Sequence, residues 1–273
     1  MEQKTSIASR KAGFTLVELL VVIAIIALLM SVLMPALARV RNQAKDVLCQ
    51  SNLKQWALIF SMYTEDFEGY FCEGHKPGYL CLWPDSVRSY YKDEKIRCCP
   101  TATKTWTDGA RGTFAAWGRI DYSGGWLDWD GTSEGDYGSY GINEWLYNPP
   151  EDIEILWDSP TEFNWRTINV RDASKIPMFL DCWWLGGGPT HKDEPPVYDG
   201  QIIEENFNDM RRFCLNRHNK TINGAFLDLS VRKIPLKCLW KFKWSRDYDL
   251  GFPLPQSWNA PGHWMNAMKQ DCQ

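Results

Sequence analysis

The 273 residues suit one fairly large domain or two small ones, enough to bury a real core. Lys and Arg total 30 against 34 Asp and Glu, a net charge of −4, which lacks the basic excess that binding to a nucleic-acid backbone demands; no nucleic-acid partner is expected. Tryptophan, at 15, outnumbers Phe at 12 and Tyr at 11, so the chain carries many broad apolar rings that also need a hydrogen-bond partner.

From Phe14 to Leu37 the only charged residue is Glu18, and as a helix this run reaches about 36 Å, enough to cross a bilayer. Lys4, Arg10 and Lys11 precede it, and Arg39, Arg41 and Lys45 follow, so the charge rule alone leaves orientation open. The short leader cannot fold and the bulk lies beyond the helix, which favours a cytoplasmic N-terminus and an external head. An intramembrane carboxylate costs about 2.5–3.5 kcal/mol, so Glu18 needs a partner. Cleavage between Gly13 and Phe14 would supply one, because the new ammonium lies a helical turn away or beside Glu18 of a neighbouring subunit.

Arg10-Lys11-Ala12-Gly13 followed by Phe14-Thr15-Leu16-Val17-Glu18 resembles the class III signal of type IV prepilins and type II secretion pseudopilins. The resemblance implies cleavage after Gly13, N-methylation of Phe14, and a helix-bending proline at Pro35. It also implies a prepilin peptidase and methylase, other pilin or pseudopilin subunits, an inner-membrane assembly platform and membrane lipid as partners. An ordinary secretory signal cut at Ala36-Leu37-Ala38 and a plain signal anchor are the bland alternatives.

After Pro35, Leu37, Val40, Ala44, Val47, Leu48, Cys49, Leu53, Trp56, Phe60 and Tyr63 recur mostly at three- and four-residue steps, an amphipathic stripe that continues the helix to about Thr64. Asp66 to Gly69 offers the stop. The expected organisation is a leader over 1–13, a helix over 14–64 that spans the membrane over about 14–37, and a head over 67–273. The fold class is α+β: a long helical spine on an antiparallel sheet with long loops. A brief helix is expected at Asp85 to Lys92. Strands are expected at Ile176 to Trp184, Phe213 to Arg217, Thr221 to Asp228, Ser230 to Ile234 and Leu239 to Trp244.

Several runs in the head resemble the H-X9-DG prepilin-type family of planctomycete- and lentisphaera-like bacteria. They are Cys49-Gln50-Ser51-Asn52-Leu53, Cys99-Pro100, Ser139-Tyr140-Gly141-Ile142-Asn143, and Arg217-His218 ahead of Asp228 with nine residues between. Leu229 stands where that family usually has Gly; in a left-handed turn it costs about 1–2 kcal/mol. His218 and Asp228 read best as a hydrogen-bonded pair that fixes a hairpin, not as a catalytic or metal pair. The same resemblance makes Cys49–Cys99 the first disulfide to expect, stapling helix to head, with Cys72–Cys81 second.

Nine cysteines imply disulfides with at least one thiol over. His75, His191 and His263 are scattered, and no C-x-x-C occurs, so no metal site and no cofactor are expected. The acidic loop with Asp128, Asp130, Glu134 and Asp136 offers hard oxygen ligands that could hold calcium, although the spacing is not that of an EF-hand. Trp117, Trp126, Trp129, Trp145, Trp157, Trp165, Trp183 and Trp184 either fill the core or stack on sugar rings. There is no G-x-S-x-G, no H-E-x-x-H and no persuasive carboxylate pair, so an enzyme is not expected. The function read from these residues is a minor or specialised filament subunit, and the alternative is a membrane-tethered glycan-binding module.

Overall fold

The computed structural model describes residues 16–76, 79–120, 135–157, 159–201, 208–269 and 272. The chain divides into two compact units, Met1–Ala44 and Lys45–Gln273. A single helix, α1, runs Leu16–Asp66 with Pro35 inside it and Glu18 in its first turn. In the first unit its side chains are exposed and, from Leu19 to Leu37, almost all apolar, and the helix is long and apolar enough to cross a membrane.

In the second unit the helix has a buried face. Cys49, Leu53, Trp56, Ala57 and Phe60 are fully buried, at the three- and four-residue spacing that puts them on one stripe. They meet aromatic rings: Trp56 lies 4.9 Å from Trp83 and 5.0 Å from Tyr91, and Phe60 lies 4.7 Å from Phe179. The buried indoles are not left without acceptors, since Trp56 donates to the Ile96 carbonyl at 2.8 Å and Trp83 to that of Leu185 at 2.7 Å. The helix stops where Glu68 and Gly69 turn left-handed (φ 54° and 90°), and Gly69 N–H reaches back to the Thr64 carbonyl at 2.6 Å.

The central sheet has five strands: β1 Tyr140–Asn143, β2 Pro177–Asp181, β3 Gly186–Gly187, β4 Thr221–Phe226 and β5 Val231–Pro235, in the order β3-β1-β2-β4-β5. The pairs β1–β2, β2–β4 and β4–β5 are antiparallel, whereas β3 joins β1 in parallel. Alternation along β2 sends Phe179 to the cluster with α1 and Leu180 to a second cluster with Ile222, Phe226, Trp244 and Trp258. The sheet is therefore buried on both faces, and the α+β class holds with mixed pairing.

Three local expectations are corrected. Phe213–Arg217 is not a strand: a single helical turn, Met210–Phe213, leads into a loop. Leu239–Trp244 is not a strand either, because Leu236–Lys241 winds as a 3₁₀ helix. Pro235 ends β5 immediately before it, and Trp240, Trp244 and Trp258 are buried together in the second cluster. Between Asp85 and Lys92 the helix breaks into Trp83–Ser86 and a 3₁₀ turn, Arg88–Tyr90. The expected hairpin is present, and Leu229 in its turn has φ 62°.

Candidate functional site

Gly13 and Phe14 lie outside the described residues, so the processing point is read from sequence alone. The head carries a second chemically distinctive place. Cys49 comes from α1, Cys99 from the loop after the 3₁₀ turn Glu94–Arg97, Asp181 from the end of β2 and His218 from the loop before β4. One donor atom from each of these four buried side chains lies within 4.8 Å of the other three.

Each is placed by its element. Cys49 begins the buried stripe of α1, and Asp181 alternates from Leu180 onto the same face of β2. Tyr140 stands directly opposite Asp181 across the β1–β2 ladder, so its hydroxyl also reaches the site and donates to the Cys49 sulfur at 3.3 Å. Cys99 is fixed by its backbone N–H, which donates to Ser139 Oγ at 2.6 Å.

The internal contacts are short. Cys49 Sγ lies 3.6 Å from each Asp181 oxygen, His218 Nε2 lies 3.2 Å from Cys99 Sγ and 3.3 Å from Asp181 Oδ2. Asp181 is also held by Arg217 Nη1 at 3.4 Å and by the backbone N–H of Asn223 at 2.9 Å. The other imidazole nitrogen, Nδ1, faces Asp46 at 3.4 Å, and Asp46 in turn pairs with Lys233 at 2.6 Å.

Burial and the neighbouring groups together set the protonation of this cluster. Burial pushes the Cys49 thiol far up. Burial also works against the Cys99 thiolate, but hydrogen bonds from Cys49 and His218 bring Cys99 down to about 7. Burial disfavours imidazolium, yet Asp181 and Cys99 hold His218 up at about 10. Burial would raise Asp181, and the bonds and charges of His218 and Arg217 keep it below the usual carboxylate range. Chemically the site combines two sulfurs, an imidazole and a carboxylate on four buried side chains.

Several sequence expectations change here. Cys49 and Cys99 are adjacent but carry free thiols, as do Cys72 and Cys81; the disulfide among the described residues joins Cys238 to Cys272. His218 and Asp228 do not pair. They flank opposite ends of β4, and Asp228 is exposed, with its carboxylate accepting from Ser230 N–H at 3.0 Å. The expectation of no metal site rested on local spacing, whereas these four donors come from four distant segments that no local spacing could announce.

The remaining quoted residues are structural. Asn52 donates to the Cys98 carbonyl at 3.0 Å, tying α1 to the Cys99 loop. Asn143 bridges the Pro177 carbonyl at 3.1 Å and that of Trp244 at 2.9 Å. Asp128, Asp130 and Glu134 lie outside the described residues. Asp136 is engaged by both Arg88 and Arg97, so its carboxylate is already neutralised and is a poor calcium ligand. Asp181, Arg217 and Asp46 carry the site and were not singled out from sequence as its members; a lone Asp closing an apolar strand was the available signal.

Tryptophan is mostly core. Trp117 and Trp145 are buried, and Trp165, Trp183 and Trp184 partly so, while Trp126 and Trp129 lie outside the described residues. Trp157 is 42% exposed and lines a cleft of about 300 Å³ with Trp184, Glu144, Asp209 and Arg212.

Residues 8–34 match the prokaryotic N-terminal methylation motif. The chain is also 45% identical over 58 residues to the type IV wide pilus major component PilA4 of Thermus thermophilus, a match that covers 21% of this chain and 44% of that relative. The chain thus spans less than half the length of the relative it matches. No solved structure matches it. With Glu18 in the first described turn of an exposed, membrane-length apolar helix, the protein is type IV prepilin- or pseudopilin-like in its N-terminal segment.

Proposed function

We propose that this chain is a prepilin-like structural subunit, minor or specialised, cleaved after Gly13 and built through its helix into a type IV pilus or a type II secretion pseudopilus. The observation that carries this reading is the methylation motif over residues 8–34 running straight into the apolar part of α1. A prepilin peptidase would cut Gly13–Phe14 and methylate the new amine. The subunit would wait in the inner membrane with its N-terminus cytoplasmic and its head periplasmic, until the assembly platform lifts it into a filament of pilin or pseudopilin subunits. In lipid, Glu18 would be neutralised by the Phe14 ammonium of a neighbour, so register and charge compensation are settled together.

The test is the mass of the N-terminal peptide from the native host, with filament incorporation of Glu18→Ala beside it. The reading requires a chain that starts at methylated Phe14, and an E18A subunit that reaches the membrane but is depleted at least tenfold from filaments. A chain starting at Met1, or an E18A subunit that polymerises normally, overturns it.

The second reading, a membrane-tethered glycan-binding head, draws on the cleft beside Trp157, whose exposed ring and neighbouring Glu144, Asp209 and Arg212 suit the faces and hydroxyls of a sugar. Trp157→Ala should then abolish retention of the full chain on immobilised oligosaccharides; retention that is unchanged removes this reading.

A further inference from the structure

We propose that Cys49, Cys99, Asp181 and His218 form a buried tetrahedral centre for a divalent thiophilic cation, zinc, inside the head. Zinc is held by thiolate, imidazole nitrogen and carboxylate oxygen at about 2.3, 2.0–2.1 and 2.0–2.2 Å, so the edges of such a tetrahedron measure about 3.3–3.8 Å. Three edges fall near this range: Cys49 Sγ to Asp181 at 3.6 Å, Asp181 Oδ2 to His218 Nε2 at 3.3 Å, and His218 Nε2 to Cys99 Sγ at 3.2 Å. All four donors stay within 4.8 Å of one another.

The groups around the four donors match what a metal requires of its surroundings. A ligating histidine needs its second nitrogen tied to an acceptor so that the metal-facing nitrogen keeps its lone pair, and here Nδ1 faces Asp46 at 3.4 Å. Asp46 is itself fixed by Lys233 at 2.6 Å and by the Asn223 side-chain amide at 2.7 Å. The sulfurs each have a hydroxyl at hand: Tyr140 donates to Cys49 at 3.3 Å, and Thr101 lies 3.0 Å from Cys99. Arg217 and the Asn223 N–H hold the carboxylate of Asp181.

Charge closes as well. Two thiolates and Asp181 carry three negative charges, a divalent cation leaves one, and the buried guanidinium of Arg217 cancels it. The Asp46–Lys233 pair is neutral by itself. Without a cation, the same cluster places two sulfurs against a fully buried carboxylate. A centre of this type would bind α1 to the Cys99 loop, β2 and the loop before β4 at one point. It does not depend on the filament reading, because every ligand lies in the unit Lys45–Gln273.

The experiment uses the full chain in detergent micelles, stripped with chelator under reducing conditions and titrated with Zn²⁺ alone. The proposal requires one zinc per chain, and an X-ray absorption edge fitted by two sulfurs at about 2.3 Å and two nitrogen or oxygen atoms at about 2.0–2.1 Å. Asp46→Asn should weaken zinc about 10- to 100-fold while the four ligands remain, and Cys99→Ser should weaken it further. Should the buried C99S variant fail to fold, stoichiometry and the sulfur count of the wild type decide the matter alone. Less than 0.1 zinc per chain (an order-of-magnitude threshold), a bound zinc with no sulfur neighbours, or a Cys49–Cys99 disulfide in the protein as isolated from its host each overturns the proposal.

Discussion

Nε2 of His218 sits 3.2 Å from the sulfur of Cys99, across 119 positions of chain, and Asp181 lies 3.3 Å from the same nitrogen. That contact decides how the head is organised. It brings the loop before β4 against the loop that follows the Glu94–Arg97 turn, beneath the buried face of α1, so the polar centre is shared by segments that also meet through apolar packing and through bonds such as that of Asn52 to the Cys98 carbonyl. A network of buried polar groups with few unmet bonds is a strong constraint, because each partner removed leaves another buried and unpaired.

Arg217 shows the scale of this. Its fully buried guanidinium donates to the carbonyls of Thr113 at 2.7 Å, Ala115 at 2.9 Å and Ser139, and pairs with Asp181. Arg217→Met removes the charge beside Asp181 and takes a donor from each of three carbonyls, of which that of Ser139 keeps the Cys182 N–H at 3.0 Å. The expected loss is about 3–5 kcal/mol, read from chemical denaturation of the full chain in micelles by tryptophan fluorescence. A loss under about 1 kcal/mol would mean that the network is not formed.

His218 and Asp228 act separately. Asp228→Ala gives up exposed bonds to Ser230 and should cost about 1 kcal/mol or less, whereas His218→Gln disturbs the buried centre and should cost about 2–4 kcal/mol. The double variant should equal the sum within about 0.5 kcal/mol. A coupling well above that would restore the cross-hairpin pair that the sequence implies.

Cys238 and Cys272 close a loop of sequence separation 34 and tie the C-terminus to the 3₁₀ helix Leu236–Lys241. Cys272→Ser should lower stability by about 3–4 kcal/mol, and added reductant should then affect the variant far less than the wild type. Equal sensitivity of both to reductant would show that another disulfide carries the effect.

Glu144 lines the cleft beside Trp157, and burial, aided by Asp209 and offset by Arg212, pushes its carboxyl up to about 8. The folded head then binds this proton more tightly than the unfolded chain. Its contribution is complete below about pH 4.5 and is lost as pH rises toward about 8. Glu144→Gln, which stays neutral, should melt with the wild type at about pH 4.5 and exceed it by up to about 4–5 kcal/mol at about pH 8.5. Identical melting at both values would mean that Glu144 is ionised throughout with Arg212 as its counter-ion.

Much was legible in the residues themselves wherever the signal is local. The apolar run after Gly13, the single carboxylate Glu18, the stripe through Cys49, Trp56 and Phe60, and the hairpin of β4 and β5 each follow from spacing along a few turns or one strand. The left-handed turn at Leu229 was implied only by the family resemblance, which has Gly there, because a Leu by itself signals no such turn. Leu239 to Trp244 misled because its alternation of large apolar residues fits a strand as well as it fits a 3₁₀ coil packed under Trp258, and only the neighbours choose.

The sequence by itself determined the membrane-length helix, the prepilin-like N-terminus and the α+β class, because periodicity and a contiguous motif need no distant partner to be recognised. Tertiary structure alone decided that Cys49, Cys99, Asp181 and His218 meet, that Asp46 and Arg217 flank them, and that Cys238 bonds Cys272. Those contacts arise from which face of α1 and of β2 turns inward. Residue spacing limits that choice, but the packing of the whole core makes it.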